Sequence, residues 1–143
     1  LNLLVAGKDY VKSALVFAST KTEVKSIERK LTDSKINAKA IHSDLDQHQR
    51  EEVLREFRNR KFQILVATDI ISRGIDIEDI DLVVNYDVPN DPEDYVHRIG
   101  RTARAQSDGV AITFVNKKQK VLFDKIEKFL GTTIFKIRNP LDS

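Results

Sequence analysis

The sequence has 143 residues and a mass of 16.3 kDa, which fits one compact domain better than two and is long enough to bury a core. Its 24 lysines and arginines exceed its 22 aspartates and glutamates by only two, so a polyanionic partner must be met by local basic clusters. The absence of cysteine excludes disulfides, thiolate metal sites and cysteine nucleophiles, and no apolar run is long enough for a membrane span.

Short apolar runs predict the strands of a buried sheet. The runs are ALVFA at Ala14–Ala18, ILVA at Ile64–Ala67, LVV at Leu82–Val84 and VAITFV at Val110–Val115, with a weaker candidate at Ala38–Ile41. Such runs are typical of strands covered on both faces. Amphipathic stretches of helical length alternate with them, which indicates a parallel sheet with helices on both sides. The expected fold is therefore a three-layer α/β domain over residues 1–143.

The first two helices are predicted from their capping residues. Thr20 and Glu23 have the spacing of a capping box and begin a helix that runs to about residue 31. Either Asp46 or Asp44 caps the second helix. The buried faces are expected to carry Val24, Ile27 and Leu31 on the first helix and Val53, Leu54 and Phe57 on the second.

Two more helices are predicted in the second half of the chain. Asp91 and Pro92 are typical of an N-cap and a first helical residue. Asn116 and Gln119 repeat the capping-box spacing, and Gly131 is well placed to end the helix that follows. The apolar residues of this last helix are Val121, Leu122, Ile126 and Phe129.

Polar residues follow the predicted strands at the points where they end. In an open parallel sheet, ligands bind at the carboxyl ends of the strands, so function is expected in these loops. The loops contain Ser19, Thr20 and Lys21 after the first run, His42, Ser43 and Asp44 after the weaker candidate, and Thr68 and Asp69 after ILVA. His42 fits a hydrogen-bonded loop histidine better than a metal ligand, because the chain has three histidines and no cysteine.

The segment HRIGRTAR at residues 97–104 contains three arginines and no acid. If it is helical throughout, His97, Arg101 and Arg104 share one face and Arg98 is turned about 100° away. A convergent arginine pair suits the charge on a transferring phosphoryl group, where an arginine finger contributes about 10³ to 10⁵ in rate. A solvated helical face or contacts to a nucleic-acid backbone are the alternatives from spacing alone.

Two further segments suggest ligand contacts. In ATDIISRGID at residues 67–76, Gly74 allows an unusual backbone conformation and Asp76 can accept from sugar hydroxyls, although a simple turn capped by Asp69 is the alternative. The segment QHQR at residues 47–50 can equally begin an ordinary solvated helix. No G-x-x-x-x-G-K-[ST] loop is present, so the chain is not expected to hold a nucleoside triphosphate alone.

Taken together, these segments resemble the second, C-terminal RecA-like domain of the DEAD-box RNA helicases of superfamily 2, a P-loop NTPase-like fold. SALVFASTK at Ser13–Lys21 is similar to motif IV, and Gln47 and Arg50 are similar to the Q-x-x-R element. ATDIISRGIDI at Ala67–Ile77 and YVHRIGRTAR at Tyr95–Arg104 are similar to motifs V and VI. The last two motifs in one chain at the family's spacing are highly specific.

The resemblance implies a role for each matching residue. Arg101 and Arg104 match the arginine fingers that reach ATP held by the first domain. Gly74 and Asp76 match the positions that hold the ribose, and His97 and Arg98 match residues that link the two domains near the catalytic acids. The positions expected to grip the RNA backbone, or to support those contacts, are Phe17, Ser19, Thr20, Gln47, Arg50, Thr68 and Gly100.

The resemblance also implies the partners. ATP with Mg²⁺ would be held mainly by an N-terminal RecA-like domain, RNA would be the second ligand, and this chain would be inactive alone. Because the sequence opens at Leu1 and lacks methionine, we expect a piece of a longer protein, cytoplasmic and not membrane-bound. The chain departs from the family at Ser43 and Ala103, where glycine is usual.

Two other functions remain open on sequence grounds. A superfamily 2 motor that acts on DNA is one alternative, although such motors more often carry glutamine where this chain has His97. The other alternative is a non-catalytic domain that binds RNA or protein as an interaction platform. Such a domain would not need both Arg101 and Arg104.

Overall fold

The structure, a computed structural model, describes residues 13–69, 80–99 and 110–131. The strands are Ala14–Phe17 (β1), Ala38–Ile41 (β2), Ile64–Ala67 (β3), Leu82–Asn85 (β4) and Val110–Thr113 (β5). The helices are Lys21–Asp33 (α1), Gln47–Arg58 (α2), Pro92–Ile99 (α3) and Lys120–Leu130 (α4), and a 3-10 turn at Lys117–Gln119 precedes α4. Within these ranges, no helix has the length and apolar character needed to cross a membrane.

The five strands form one sheet in the order β2-β3-β1-β4-β5, and every neighbouring pair is parallel. Ala14 at the start of β1 lies opposite Ile64 of β3 and Leu82 of β4, so the three central strands begin and end level. All residues of β1 and β3 are buried, as predicted for strands covered on both faces. The parallel sheet is therefore confirmed, and the weaker candidate at Ala38–Ile41 is one of its two edge strands.

Helices cover both faces of this sheet. Helix α1 buries Val24, Ile27 and Leu31 in one apolar cluster with β1 and β3, as predicted. Helix α2 buries Leu54 and Phe57 in a second cluster on alternate residues of the same strands, where Val53 is only partly buried. Burial of each such side chain stabilises the fold by about 1.5–3 kcal/mol, so the two clusters account for the three-layer arrangement.

The N-cap hydrogen bonds of the first two helices show where each helix begins. Thr20 accepts a hydrogen bond from the backbone N–H of Glu23, but the Glu23 side chain does not return a bond to the Thr20 backbone to complete the predicted capping box. Asp46, not Asp44, caps α2 and forms a complete capping box with Gln49. Each cap satisfies backbone N–H groups that the first helical turn leaves without a partner.

The second pair of helices begins close to where the sequence predicts. Asp91 accepts from the N–H of Glu93 at 3.0 Å, just before α3. The capping box of Asn116 and Gln119 opens the 3-10 turn, and α4 follows directly. Gly131 ends α4 in the left-handed conformation, with φ of 71°.

The buried face of α4 differs from the sequence pattern. Ile126 is buried and Leu122 is partly buried, but Val121 and Phe129 are 68% and 57% exposed. Phe123, which the pattern did not single out, takes the buried position and packs edge-on against Tyr95 with ring centroids 6.2 Å apart. Helix α4 therefore packs on α3 through only some of its apolar residues, and the buried stripe is narrower than all of these residues together would form.

Two serine–aspartate pairs fasten β1 to β4 beyond the ends of their backbone ladder. At the amino end, the Ser13 N–H donates to Asp81 Oδ2 and the Asp81 N–H donates to Ser13 Oγ, both at 3.3 Å. At the carboxyl end, Ser19 and Asp87 form the second pair. The second pair lies at the edge where the sequence predicts the functional site.

Candidate functional site at the carboxyl edge of the sheet

Arg98, in the last turn of α3, lies at the centre of the carboxyl edge of the sheet. Its side chain is 0% exposed. A buried guanidinium is stable only when its N–H groups have partners, because an unpaired buried charge is very costly. The partners come from the ends of three adjacent strands.

Asp69, two residues beyond β3, is the first of these partners. Its Oδ1 accepts from Arg98 Nε at 2.5 Å and its Oδ2 accepts from Nη2 at 2.8 Å. This two-point geometry matches the planar fork of the guanidinium to the carboxylate. It joins the beginning of the ATDIISRGID segment to α3, which contains His97, Arg98 and Ile99.

Asp87, two residues beyond β4, is the second partner. Its backbone carbonyl accepts from Arg98 Nη1 at 3.0 Å, and its Oδ1 accepts from the same nitrogen at 3.3 Å. The same carboxylate accepts from Ser19, at 2.8 Å from the backbone N–H and at 2.8 Å from the hydroxyl. Ser19 follows β1, so Asp87 joins the loops of two neighbouring strands.

Glu23 adds a second carboxyl to Asp87 from the first turn of α1. Burial raises the pKa of Glu23, and a hydrogen bond to Asp87 together with the negative charge of Asp87 raises it further. Proximity to Asp87 therefore favours the neutral form of the Glu23 carboxyl more than exposure to water would.

Phe17 is predicted to grip the RNA backbone or to support such contacts, and its ring is 0% exposed in β1. A supporting role is therefore the part of this prediction that its side chain can fill. The Arg98 guanidinium lies 5.5 Å from the ring centroid, within cation–π range. The Phe17 ring in β1 therefore packs against the Arg98 guanidinium and supports its position.

The loop after β2 brings its own charged residues to this edge. Asp44 pairs with Lys25 at 2.6 Å and with Lys21 at 3.0 Å, and these two hydrogen bonds hold the pKa of Asp44 down to about 2. His42 is buried and its Nδ1 accepts from the Asp44 N–H, as expected for a hydrogen-bonded loop histidine. Burial, and then the charge of Lys25, lower the pKa of His42, so its imidazole is neutral near pH 7.

Several predicted ligand-facing residues keep buried polar atoms without a partner. Thr68 Oγ1, Arg50 Nε and His97 Nδ1 make no hydrogen bond in the described part of the chain. Buried polar atoms in folded proteins are normally paired, so an unpaired one calls for an explanation, and a ligand or another domain can supply the missing partner. Among the described residues, Glu23 Oε2 and Asn85 Oδ1 are also unpaired. Gln47, by contrast, is exposed and donates to Glu51 along α2.

Thr20 shows how its loop can present a donor to a ligand. Its Oγ1 accepts from Glu23, which leaves the hydroxyl proton available to an acceptor outside the chain. Ser19 differs, because its N–H and its hydroxyl both donate to Asp87. The two neighbours in the predicted RNA loop therefore serve different purposes.

Five predicted site residues lie outside the described residues. They are Gly74, Asp76, Gly100, Arg101 and Arg104. The role of Arg98 can be refined without them, because its guanidinium bonds to groups of its own domain and none of it is exposed. Within this domain, Arg98 joins the loops that follow β3 and β4, and its role in linking two domains stays a prediction.

Asp87 belongs to the site although no sequence motif singles it out, whereas Glu23 is predicted only as a capping-box residue and Asp69 only as a local cap. Asp87 lies 68 residues from Ser19 and 11 from Arg98, so no local spacing links them. The sequence does contain a signal for Asp87, which is its position shortly after an apolar run. Ser19 and Asp69 have the same kind of position. The rule that ligands bind at strand ends therefore applies to the loop after β4 as well.

Comparison with known proteins places this arrangement in a family. Residues 1–106 match the helicase conserved C-terminal domain. The chain is 43% identical over 124 residues to an ATP-dependent RNA helicase eIF4A of Lodderomyces elongisporus, covering 87% of this chain and 31% of that protein. It thus spans about a third of the length of the curated relatives it matches.

Solved structures agree with this assignment. A DEAD box protein from the hyperthermophile Methanococcus jannaschii superimposes with a TM-score of 0.87 at 42% identity, over 96% of this chain and 38% of that one. The C-terminal domain of the DEAD-box protein Dbp5 superimposes with a TM-score of 0.86 at 32% identity, over 99% of this chain and 83% of that one. The predicted RecA-like fold is confirmed, and the chain belongs to the helicase conserved C-terminal domain family, in the form that DEAD-box RNA helicases carry.

Proposed function

We propose that this chain is the C-terminal half of an ATP-dependent RNA helicase that separates short RNA duplexes, and that it is inactive alone. The observation that carries the proposal is the set of unpaired buried polar atoms on Thr68, Arg50 and His97, residues that motif resemblance assigns to RNA or to the domain interface. The family match over residues 1–106 supports the same assignment, because it includes all three of these residues.

The ATP side of the proposal depends on HRIGRTAR. Arg101 and Arg104 would stabilise the negative charge that develops on the transferred phosphoryl group, while Gly74 and Asp76 would hold the ribose. Arg98 supports this assignment, because its buried ion pairs fix the helix that leads into Arg101. The triphosphate and Mg²⁺ would be held mainly by an N-terminal RecA-like domain.

The described residues of this chain do not form a metal site of their own. No group of three histidine or acidic side chains suited to a metal ion occurs in residues 13–69, 80–99 and 110–131. Asp69 and Asp87 both bond to Arg98.

The RNA side of the proposal uses the carboxyl edge. Thr20 and Thr68 would donate their hydroxyls to the sugar–phosphate backbone, and Gly100 would let the backbone approach closely. Arg50 would add charge, with Gln47 beside it on α2. Contacts to phosphates and 2′-hydroxyls carry little sequence information, so we expect low sequence preference.

The test is RNA-stimulated ATP hydrolysis and duplex separation by the full-length protein. Arg101→Ala and Arg104→Ala should each lower the ATPase rate by about 10³-fold or more while leaving the melting temperature unchanged. Arg29→Ala, which removes an exposed arginine of α1, is the matched control and should keep the wild-type rate. An Arg101→Ala variant with unchanged turnover would contradict the proposal.

The same assay separates the alternatives. A DNA motor would be stimulated by single-stranded DNA and not by RNA, and a non-catalytic platform would bind RNA or protein without hydrolysing ATP. The proposal requires stimulation by RNA. A cytoplasmic location stays a prediction, which imaging of the tagged full-length protein would check.

A further inference from the structure

Asp87 joins two functional segments although it belongs to neither. It lies in the loop after β4, outside the segments similar to motifs IV, V and VI. Its Oδ2 accepts from the Ser19 N–H and its Oδ1 accepts from the Ser19 hydroxyl, each at 2.8 Å. The same Oδ1 lies 3.3 Å from Nη1 of Arg98.

The two residues that Asp87 holds do not depend on it equally. Arg98 keeps a two-point ion pair with Asp69 and its contact with the Phe17 ring if the Asp87 carboxylate is removed. Ser19 sends both of its donors to Asp87. Loss of the carboxylate therefore leaves the Ser19 side chain with only its Oγ contact to Arg98 Nη2 at 3.5 Å, and the position of Ser19 becomes less constrained while the guanidinium stays in place.

A less constrained Ser19 would affect Thr20, which follows it directly. Thr20 is exposed and its hydroxyl proton is available, whereas the Ser19 donors are occupied. The two residues therefore have different roles, since Ser19 anchors the loop and Thr20 presents a hydrogen-bond donor. A donor held in place before binding loses less conformational freedom when the ligand arrives.

We propose that Asp87 is a positioning residue for RNA binding: by holding the N–H and hydroxyl of Ser19, it presents the Thr20 hydroxyl to a phosphate oxygen of the RNA backbone. The inference rests on the proposed RNA contact of the loop after β1. Because Arg98 keeps its bonds to Asp69, the effect should fall on RNA and not on ATP.

The chain offers a matched control at the opposite edge of the sheet. Asp81 bonds to Ser13 across the same pair of strands, β1 and β4, as Asp87 bonds to Ser19. Asp81→Ala therefore removes the same kind of residue from the same strand pair, but far from the proposed RNA surface.

The experiment measures KM for a single-stranded RNA and KM for ATP in the ATPase reaction of the full-length protein. Asp87→Ala should raise KM for RNA about tenfold, the effect of one lost charge-assisted hydrogen bond, and leave KM for ATP within about twofold. Asp87→Asn should be intermediate, because one acceptor oxygen remains. Asp81→Ala should change neither KM.

A double-mutant cycle tests whether Asp87 acts through Thr20. Thr20→Val should weaken RNA binding and Thr20→Ser should restore it. Asp87→Ala added to Thr20→Val should cost much less than it does alone. Additive effects, an unchanged KM for RNA in Asp87→Ala, or equal rises in both KM values would each overturn the inference.

The wild-type protein distinguishes this failure from a failure of the proposed function. If RNA does not stimulate the wild-type ATPase, both proposals are wrong. If RNA stimulates the wild type and Asp87→Ala equally, with the same KM, only the role of Asp87 is wrong.

Discussion

Arg98 and Asp69 form a two-point ion pair, Nε to Oδ1 at 2.5 Å and Nη2 to Oδ2 at 2.8 Å, although 29 residues separate them along the chain. Asp87 completes the set of acidic partners from the other side of β1. A single guanidinium thus bonds to groups that follow β3 and β4, the two neighbours of β1 in the sheet. The carboxyl edge depends on this one side chain.

Substitution of Arg98 should therefore destabilise the fold strongly. Arg98→Ala leaves the Asp69 and Asp87 carboxylates without their cation, and loss of one partner of a buried ion pair costs about 3–5 kcal/mol. Arg98→Lys keeps the charge but loses the planar fork, so we expect a smaller loss. Urea unfolding of this chain measures both, with Arg29→Ala as the control. A loss below about 0.5 kcal/mol in Arg98→Ala, the level of an ordinary surface change, would be inconsistent with a structural role.

Glu23→Gln should remove a pH dependence of stability. The raised pKa of Glu23 means that the folded chain keeps a proton that the unfolded chain releases above about pH 4.3. Stability is therefore present in full below that pH and falls as pH rises through the folded-state pKa. Glutamine should match the wild type in acid and exceed it near pH 7.

Melting temperatures measured across that pH range check the expectation for Glu23. Glu52→Gln, which changes an exposed glutamate of α2, is the matched control and should follow the wild-type curve. Parallel curves for wild type and Glu23→Gln would mean that Glu23 makes no contribution to the pH dependence.

At two positions that closely follow helices, glycine should make the fold more stable than the native residue does. Lys35 and Arg60 follow α1 and α2 with φ of 61° and 57°, a left-handed conformation that costs a non-glycine residue about 1–2 kcal/mol. Glycine also gains freedom in the unfolded chain, so Lys35→Gly and Arg60→Gly should each stabilise by a net of about 0.5–1 kcal/mol.

Gly131 provides the reverse test. It has φ of 71°, and a β-carbon added at this residue would meet no other atom within 4 Å, so only backbone strain opposes a side chain there. Gly131→Ala should lose about 1 kcal/mol in the same urea unfolding measurement. Stabilisation by Gly131→Ala, or destabilisation by Lys35→Gly, would be contrary to the geometry.

Helix α4 offers a comparison of two phenylalanines six residues apart. Phe123 is 5% exposed against Tyr95, and Phe129 is 57% exposed. Phe123→Ala should cost about 3–5 kcal/mol, the range for a buried aromatic residue, whereas Phe129→Ala should stay within about 0.5 kcal/mol. Thermal unfolding of the two variants gives the answer, and equal losses would mean that Phe129 is covered.

Local patterns predicted most of the fold. The apolar runs predicted every strand of the sheet to within about two residues at its end, and Thr20, Asp46 and Asn116 cap where their spacing indicates. The predicted end of α1 at about residue 31 lies close to the observed end at Asp33. Neither α1 nor α2 carries the usual glycine signal at its end, because Lys35 and Arg60 occupy the left-handed positions.

The candidate site was predicted less completely for a physical reason. Motif resemblance predicts Thr68 and Arg50 from the sequence, but the partners of Arg98 depend on the strand order β3-β1-β4, which no local spacing contains. The spacing of Thr20 and Glu23 predicts a capping box, and only the Thr20 half of it forms. A motif position does not reveal exposure, so the burial of the Phe17 ring could not be predicted.

The two serine–aspartate pairs constrain the relative lengths of β1 and β4. Ser13 and Ser19 are six residues apart, as are Asp81 and Asp87, so both pairs can close only while β1 and β4 remain equally long. Insertions should therefore accumulate in the connections between these strands and never inside one strand alone. Related sequences that lengthen β1 should either lengthen β4 by the same amount or lose one of the two pairs.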